Sequence, residues 1–446
     1  MRSKKFRLGT GAGFSADRLD PAVDLVRRGN LNAIVFECLG ERTLASGLSE
    51  KLADPTLGYN PLLGRRMQAM LPLCRASNTC LITNMGAANP LAAGDLVANI
   101  AVKLGLRGIR IVVVTGDDVT ELLTDNTHLS EPDCSLKDFK QSVVGANAYL
   151  GSEGIVQALQ QNADVVITGR VADPSLFLAP LQHFFEWEFN DWMRAGAGTM
   201  IGHLMECAAQ VTGGYFADPE YKNVNDLAAV GFPIAEVQPD GAAIITKLDG
   251  TGGCVDLRTV KEQLLYEVHD PARYLTPDVT ADFSSARLNS EGVDRVSVSG
   301  ALGTERPQQL KATVSFDGGF LGEAELSYAG PGAEERARMA NEIVEERLRH
   351  VHGIQATLRC DLIGVSSLHS TAGQYETGSK DVRIRCAVRT PDRNEAENLL
   401  WEVESLLCCG PAGGGGYRGA IQSSVLTYST YLDRAHISPR LDVIDV

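Results

Sequence analysis

Ala163-Asp-Val-Val-Ile-Thr-Gly-Arg-Val-Ala-Asp173 is an apolar run of strand length that ends at once in glycine, a cation and an acid. A run this short, rich in β-branched residues and bounded by glycine, reads as a strand buried on both faces. Moving outward, the same texture recurs at Phe6–Gly9, Asn32–Phe36, Cys80–Thr83 and Gly108–Val114, with Ala163–Thr168 as the fifth case. The stretches Ala16–Arg28, Pro90–Leu104 and Gly154–Gln161 between them carry helical periodicity. Strand and helix therefore alternate, which predicts an α/β fold with an N-terminal Rossmann-like parallel sheet and crossover helices.

The functional clue lies in the loop at the end of each strand. The loops are Gly9-Thr-Gly-Ala-Gly13, Glu37-Cys-Leu-Gly-Glu41, Asn84-Met-Gly-Ala-Ala-Asn-Pro90, Gly116-Asp-Asp118 and Gly169-Arg-Val-Ala-Asp173. In an open parallel sheet the carboxyl ends of the strands share one edge, where ligands bind. Glu37, Asn84, Asp117, Asp118, Arg170 and Asp173 are thus expected to converge although they are remote in sequence. For any single loop, turns and helix caps are the better explanation of Gly and Asp; five such loops together favour a ligand cleft.

From about Asn289 the pattern changes. Arg295–Ser299, Gln309–Phe316, Gly322–Tyr328, Gln355–Ile363 and Asp381–Arg389 read as strands, and Gly332–His350 and Asp392–Leu407 as helices. This predicts a C-terminal α+β two-layer (ferredoxin-like) domain. The expected division is residues 1–285 and 286–446, with the mixed segment 184–274 an insertion in, or lid on, the first domain.

Four motifs carry candidate chemistry. Gly11-x-Gly13-x-x-Ala16 with Glu37 at the end of the next strand has the order of a dinucleotide fingerprint, although Asp17 at the helix start would repel a pyrophosphate. A carboxylate site or a structural turn fits the same residues. His203, Glu206, Cys207 and Gln210 share one helical face, as an acid/base pair, two metal ligands or a half-buried polar stripe would. Lys247 beside Gly250-Thr-Gly-Gly253 suits an anion contact or a strand residue before a hairpin; the order is not that of a P-loop. Gly410-Pro-Ala-Gly-Gly-Gly-Gly416, followed by Arg418, is costly to order and reads as an anion nest or a linker.

Composition narrows the class. Forty-one basic against 56 acidic side chains give a net charge of −15, which argues against a nucleic-acid surface. Hydrophobic residues at 44% and charged residues at 22% exclude a disordered chain. No run of apolar residues is long enough for a membrane span, and the basic opening Met1-Arg-Ser-Lys-Lys5 is not followed by the apolar stretch of a secretory leader. Ten cysteines without a Cys-x-x-Cys pair predict buried free thiols in a reducing cytoplasm. No G-x-S-x-G, H-E-x-x-H or paired cysteine–histidine signature is present.

With these residues in view, the chain resembles the acyclic terpene utilisation (AtuA) family. The matching stretches are Gly11–Arg18 with Arg28-Gly-Asn-Leu31, Ala163–Asp173, Gly202-His-Leu-Met-Glu-Cys-Ala-Ala-Gln-Val-Thr-Gly-Gly214 and Gly231-Phe-Pro-Ile-Ala-Glu236. Thr246–Gly253, Gln263-Leu-Leu-Tyr266, Asp270-Pro271 with Tyr274, and Gly410–Gly416 complete the set. Glu37–Glu41 departs from the more aromatic run expected there, which puts a terpenoid preference in doubt. The resemblance implies catabolism of branched or other carboxylic acids, through coenzyme A thioesters in part, and a separate small ferredoxin-like partner subunit. It does not name the reaction.

The expected function is an enzyme acting on a small or branched carboxylic acid or its CoA thioester, with hydro-lyase chemistry leading. His203 with Glu206 would move protons, Arg170 and Lys247 would hold the substrate anion, and Asp117 and Asp173 would position it or bind a divalent metal. Gly11, Gly13, Glu37, Asn84, Gly252 and Arg418 complete the expected substrate surface. Two alternatives stay open: an NAD(P)-dependent oxidoreductase built on Gly11, Gly13 and Glu37, and a non-catalytic subunit of an acyl-CoA-processing complex. An enzyme of this size is commonly a homo-oligomer.

Overall fold

The computed structural model describes residues 5–367 and 380–446; the first four residues of the basic opening lie outside them. The chain forms two compact units, one of residues 5–139, 144–314 and 427–446, the other of 140–143 and 315–426.

The first unit is built on a ten-stranded mixed sheet. Its parallel part comprises β1 (Phe6–Ala12), β2 (Ala33–Phe36), β3 (Cys80–Thr83), β4 (Arg110–Thr115) and β5 (Val165–Thr168). Across the sheet these run β1-β2-β3-β5-β4, every neighbouring pair parallel, with β5 inserted between β3 and β4. The sheet continues antiparallel beyond β1 through β6 (Pro233–Val237), β7 (Ala243–Lys247), β9 (Arg295–Ser299) and β8 (Arg287–Gly292). At the opposite edge β10 (Arg440–Asp445) lies antiparallel on β4.

Strand alternation explains the layers. Leu8, Val35, Ile82, Val112 and Val166 face one core with α5 (Glu153–Gln160), α6 (Asp173–Phe185), α7 (Trp192–Glu206) and α8 (Leu257–Leu265). Ile34, Phe36, Leu81, Val113 and Ile167 face the other, with α1 (Asp20–Arg28), α3 (Leu63–Ser77) and α4 (Pro90–Lys103). Each strand is therefore apolar on both faces, the pattern that crossover helices require. A further helix, α2 (Glu41–Ala53), comes after the loop that leaves β2.

The second unit has the order strand, helix, strand, strand, helix, strand. Its sheet places Leu358–Ile363 beside Asp381–Thr390, then Gln309–Ala329, then Gly415–Asp433. The helices α9 (Ala333–His350) and α10 (Arg393–Cys409) bury Val344, Leu348, Leu399 and Val403 against Leu326, Ile384 and Val388.

Several expectations need correction. The division falls at 314/315 rather than 285/286, because β8 and β9 extend the first sheet, and the last twenty or so residues return to it through β10. Segment 184–274 is no lid: it supplies α7, β6, β7 and α8 to the core. The sheet is parallel only in its middle. Helix α1 begins at Asp20 instead of Ala16. Gln309–Phe316 and Gly322–Tyr328 are one strand; Gly319 within it, at φ +70°, lets the chain pass Thr390, whose carbonyl a Cβ would meet at 2.3 Å. All ten cysteines are free, but only Cys38, Cys74 and Cys386 are buried, and Cys408 and Cys409 are exposed. No helix among the described residues is long and apolar enough to cross a membrane.

Candidate active site

The loops that leave β2, β3, β4 and β5 meet at the carboxyl edge of the sheet. Glu37 Oε1 accepts from the Leu39 N–H at 2.8 Å and from Asn84 Nδ2 at 2.9 Å, while Asn84 Oδ1 accepts from the Cys38 N–H at 2.7 Å. Asp117 Oδ2 accepts from the Arg170 N–H at 2.8 Å and from Asn147 Nδ2 at 2.9 Å. Gly169 is required there, because a Cβ would fall 2.5 Å from the Asp117 carboxylate. Asp117 therefore sets the backbone that presents Arg170.

Arg170 is the cation of this edge and is 2% exposed. Its Nη1 donates to the Leu39 carbonyl, its Nη2 lies 3.2 Å from Asp173 Oδ1, and its guanidinium sits 4.0 Å from the Tyr149 ring centre. The pair with Asp173 is close but not aligned as a hydrogen bond, so Asp173 Oδ1 and Arg170 Nε both remain without hydrogen-bond partners. Tyr149 hydrogen-bonds Glu41, which also receives Lys311 at 3.3 Å. Against the upward push of burial, Tyr149, Arg170 and Lys311 bring Glu41 down to about 2.

Helix α7 brings the second half of the site. Thr10 of β1 donates to the Met205 carbonyl at 2.9 Å, and Gly202 packs on Pro174 at the start of α6, where a Cβ would lie 2.7 Å from its carbonyl. These contacts seat the last turn of α7 beside Asp173. His203 Nδ1 and Glu206 Oε1 are 2.8 Å apart, and the imidazole lies against the rings of Tyr274 and Phe283, at 5.3 and 5.8 Å between centres. His203 Nε2 and Glu206 Oε2 are buried without partners. An unpaired buried polar atom is costly, so two in one pair mark a place where something else binds or reacts.

Electrostatics ties the two halves together. Burial, and next the Asp173 charge, pushes Glu37 up to about 8, with Asn84, the Leu39 N–H and Arg170 opposing. Burial raises Glu206 to about 7 against His203, with Asp173 and Glu267 adding to the rise. Asp173 is itself raised, by burial first, with Arg170 opposing and Glu41 and Glu267 contributing. Burial also drives the Tyr274 hydroxyl well above its ordinary value, with Glu206 and Asp173 the next causes. Several carboxyls thus crowd one low-dielectric region, and two of them titrate near neutrality.

A cavity of about 640 Å³ reaches Arg170 and Asp173, while Glu37, His203 and Glu206 lie behind its wall rather than on it. Tyr149, Arg170, Asp173, Arg273, Tyr274 and Lys311 line it. Tyr274 is shared between the cavity wall and the stack on His203. Tyr149, Glu41, Lys311, Tyr274 and Glu267 were not among the expected site residues; only Glu41, which closes the strand-end loop Glu37–Glu41, and Tyr274, beside Asp270-Pro271, carried a sequence signal.

The other expected residues lie elsewhere or act internally. Gly11 passes the Phe36 ring, where a Cβ would fall within 2.4 Å, and Gly13 passes the backbone of Glu206 and Cys207, where a Cβ would fall within 2.3 to 2.5 Å. The Gly13 N–H donates to Asp17 at 2.8 Å. The glycines and Glu37 are thus engaged within the protein, and α1 starts too late for its N-terminus to face them, so these residues do not fit a dinucleotide fingerprint. Lys247 Nζ pairs with Asp294 at 3.2 Å and donates to the Thr251 carbonyl at 2.8 Å, bracing its own hairpin. Gly252 is needed because a Cβ would meet the Asp226 carbonyl at 1.9 Å. The run Gly410–Gly416 is the turn between α10 and the last strand of the second unit, with Gly414 against Leu326 and Tyr328, and Arg418 is exposed on that strand. Among the described residues no group of three or more His, Cys, Asp or Glu side chains could hold a metal ion.

No curated protein and no solved structure matches the chain. A family model described as acyclic terpene utilisation family protein AtuA matches residues 6–443, nearly the full length. The motifs that form the sheet edge, α7 and the hairpin of Lys247 all fall inside that match, and the chain belongs to the acyclic terpene utilisation family.

Proposed function

We propose that the protein is a cytoplasmic hydro-lyase that adds water to, or removes it from, a small or branched carboxylic acid or its CoA thioester. Family membership carries the coarser statement, a catabolic role in acyclic terpene utilisation. The observation that supports the finer one is the His203–Glu206 pair, whose outward atoms Nε2 and Oε2 are buried without partners beside two further carboxyls.

Elimination next to a carbonyl needs a base, an acid and a fixed positive group. In this reading the His203–Glu206 pair takes the proton from the carbon α to the carbonyl. The electron pair forms the carbon–carbon double bond as the bond to the β-hydroxyl breaks, and the neutral Glu37 carboxyl gives its proton to the departing oxygen, releasing water. Arg170, with its Nε donor free, faces the developing enolate, and Lys311 and Arg273 hold the substrate anion at the cavity wall. Asp173 orients Arg170.

The test is a panel of branched β-hydroxy and α,β-unsaturated acids and their CoA thioesters, incubated with the protein in deuterated water and read by mass spectrometry. The reading expects deuterium at the α-carbon and interconversion of one hydroxy and unsaturated pair. Absence of both from every member of the panel would sink it.

A further inference from the structure

A smaller cavity, of about 100 Å³, lies between the first turn of α5 and the Pro277-Asp278 loop, with Arg306 and Arg434 on its wall. Arg306 pairs with Glu153 at 2.5 Å. Arg434 gives Nη2 to the Pro277 carbonyl at 2.5 Å, and its Nε is buried without a partner. No carboxylate among the described residues pairs with Arg434 within ion-pair distance. Asp278, the other acid on the wall, is already occupied: Oδ1 accepts the N–H and hydroxyl of Ser152 at 2.8 Å, and Oδ2 accepts from Ser175.

Two guanidinium groups brought to one small cavity repel each other: burial followed by the Arg306 charge lowers the proton affinity of Arg434, with Glu153 and Asp278 opposing only in part. Such an arrangement is relieved by an anion placed between them. Guanidinium forks match the paired oxygens of a tetrahedral oxyanion. We propose that the cavity between Arg306 and Arg434 is a binding site for a phosphate group. Pro277 and Leu310 line both this cavity and the larger one, so the group is either free phosphate or the phosphate of a ligand that reaches into both. The inference goes beyond the proposed reaction and does not depend on it.

The experiment is calorimetric titration of the full chain with inorganic phosphate, with butyl phosphate and with acetate. Inorganic phosphate binds at millimolar concentration or tighter, and Arg434→Gln and Arg306→Gln each weaken it by about tenfold or more through loss of a charge-assisted pair. Butyl phosphate binding more tightly than phosphate, with the gain abolished by Leu310→Trp, assigns the group to a ligand that spans both cavities; equal affinities assign it to the free ion. If Arg434→Gln does not fold, the partly exposed Arg306 carries the test alone. No binding of phosphate, affinity unchanged in the folded variants, or acetate binding as well as phosphate would overturn the proposal.

Discussion

His203 Nδ1 lies 2.8 Å from Glu206 Oε1, one helical turn apart on α7, and the far atom of each side chain is buried with nothing to bond. The hydrogen bond fixes the imidazole and leaves Nε2 as the working atom. Ala at His203 removes that atom, and Gln at Glu206 keeps the shape while removing the charge. Each change is expected to lower turnover by about 10²-fold or more, the usual worth of a positioned general acid or base. Steady-state kinetics on the substrate that the panel identifies would check this, with near-native kcat in both variants removing the pair from the mechanism.

The pH dependence of activity comes from the two carboxyls. Glu206 must lose its proton for the pair to act as base, so the rate climbs as pH passes about 7. Glu37 must keep its proton to act as acid, so the rate falls as pH passes about 8. A narrow bell with its top between these values is expected in kcat/KM, the profile of an acid and a base with separated affinities. Glu37→Gln should abolish the alkaline limb at reduced overall rate, and Glu206→Gln the acid limb; limbs unmoved by both variants would assign the titration to other groups.

Stability should show the same two groups with a definite sign. Glu37 and Glu206 bind protons more tightly in the folded chain than their ordinary 4.5, because burial penalises their charged forms. The stabilisation they contribute is complete below about 4.5 and is lost as pH rises through about 7 and about 8. Glu41 works in the opposite direction: lowered to about 2, it stabilises above 4.5 and loses that contribution as the pH falls toward 2. Thermal melts should therefore show Tm falling from about pH 5 to about pH 8 in the native chain and levelling above that, by the logic of linkage. The slope should be shallower in Glu37→Gln.

Much of this site was legible because strand ends in a parallel sheet are local signals. Val165–Thr168 followed by Gly169-Arg170, and Cys80–Thr83 followed by Asn84, needed only an apolar run and the polar residue after it. His203 and Glu206 were legible through helical spacing. The meeting of Lys311, Tyr149 and Glu41 was not, because it depends on three segments with no shared period: the start of α2, the end of Val143–Ala148 and the start of Gln309–Ala329. The fingerprint at Gly11 and Gly13 misled for a related reason. Glycine reports that something approaches the backbone, and only the fold says whether that is a ligand, the Phe36 ring or the end of α7. Likewise β10 gave no sign that it would cross back to β4, since antiparallel pairing at a sheet edge leaves no local mark.

Arg170 offers a stability test separate from catalysis. It is buried, it pairs with Asp173, it stacks on Tyr149, and it donates to the Leu39 carbonyl. Removing one partner of a buried pair leaves the other uncompensated, at a cost of about 3–5 kcal/mol. Arg170→Ala should lose stability on that order in denaturant melts, with Arg170→Lys intermediate because an ammonium cannot reproduce the planar stack and fork. A loss below about 1 kcal/mol, the scale of a surface pair, would mean that the contacts are not made in solution.

Gly13→Ala separates packing from ligand binding at the first loop. A Cβ there would stand 2.3 Å from the Glu206 carbonyl oxygen and 2.5 Å from the Cys207 Cα, and both are backbone atoms with no rotamer to yield. The end of α7 must move, which costs about 1–3 kcal/mol as overpacking does and shifts Glu206 against His203. The expected result is a lowered melting temperature without any added ligand, together with a fall in kcat that is larger than the change in KM, because the misplaced pair acts on bound substrate. If the glycine instead serves a dinucleotide, melting without ligand stays native and only the response to NAD(H) or NADP(H) changes. Melts of native and Gly13→Ala protein, each with and without those cofactors, distinguish the two roles.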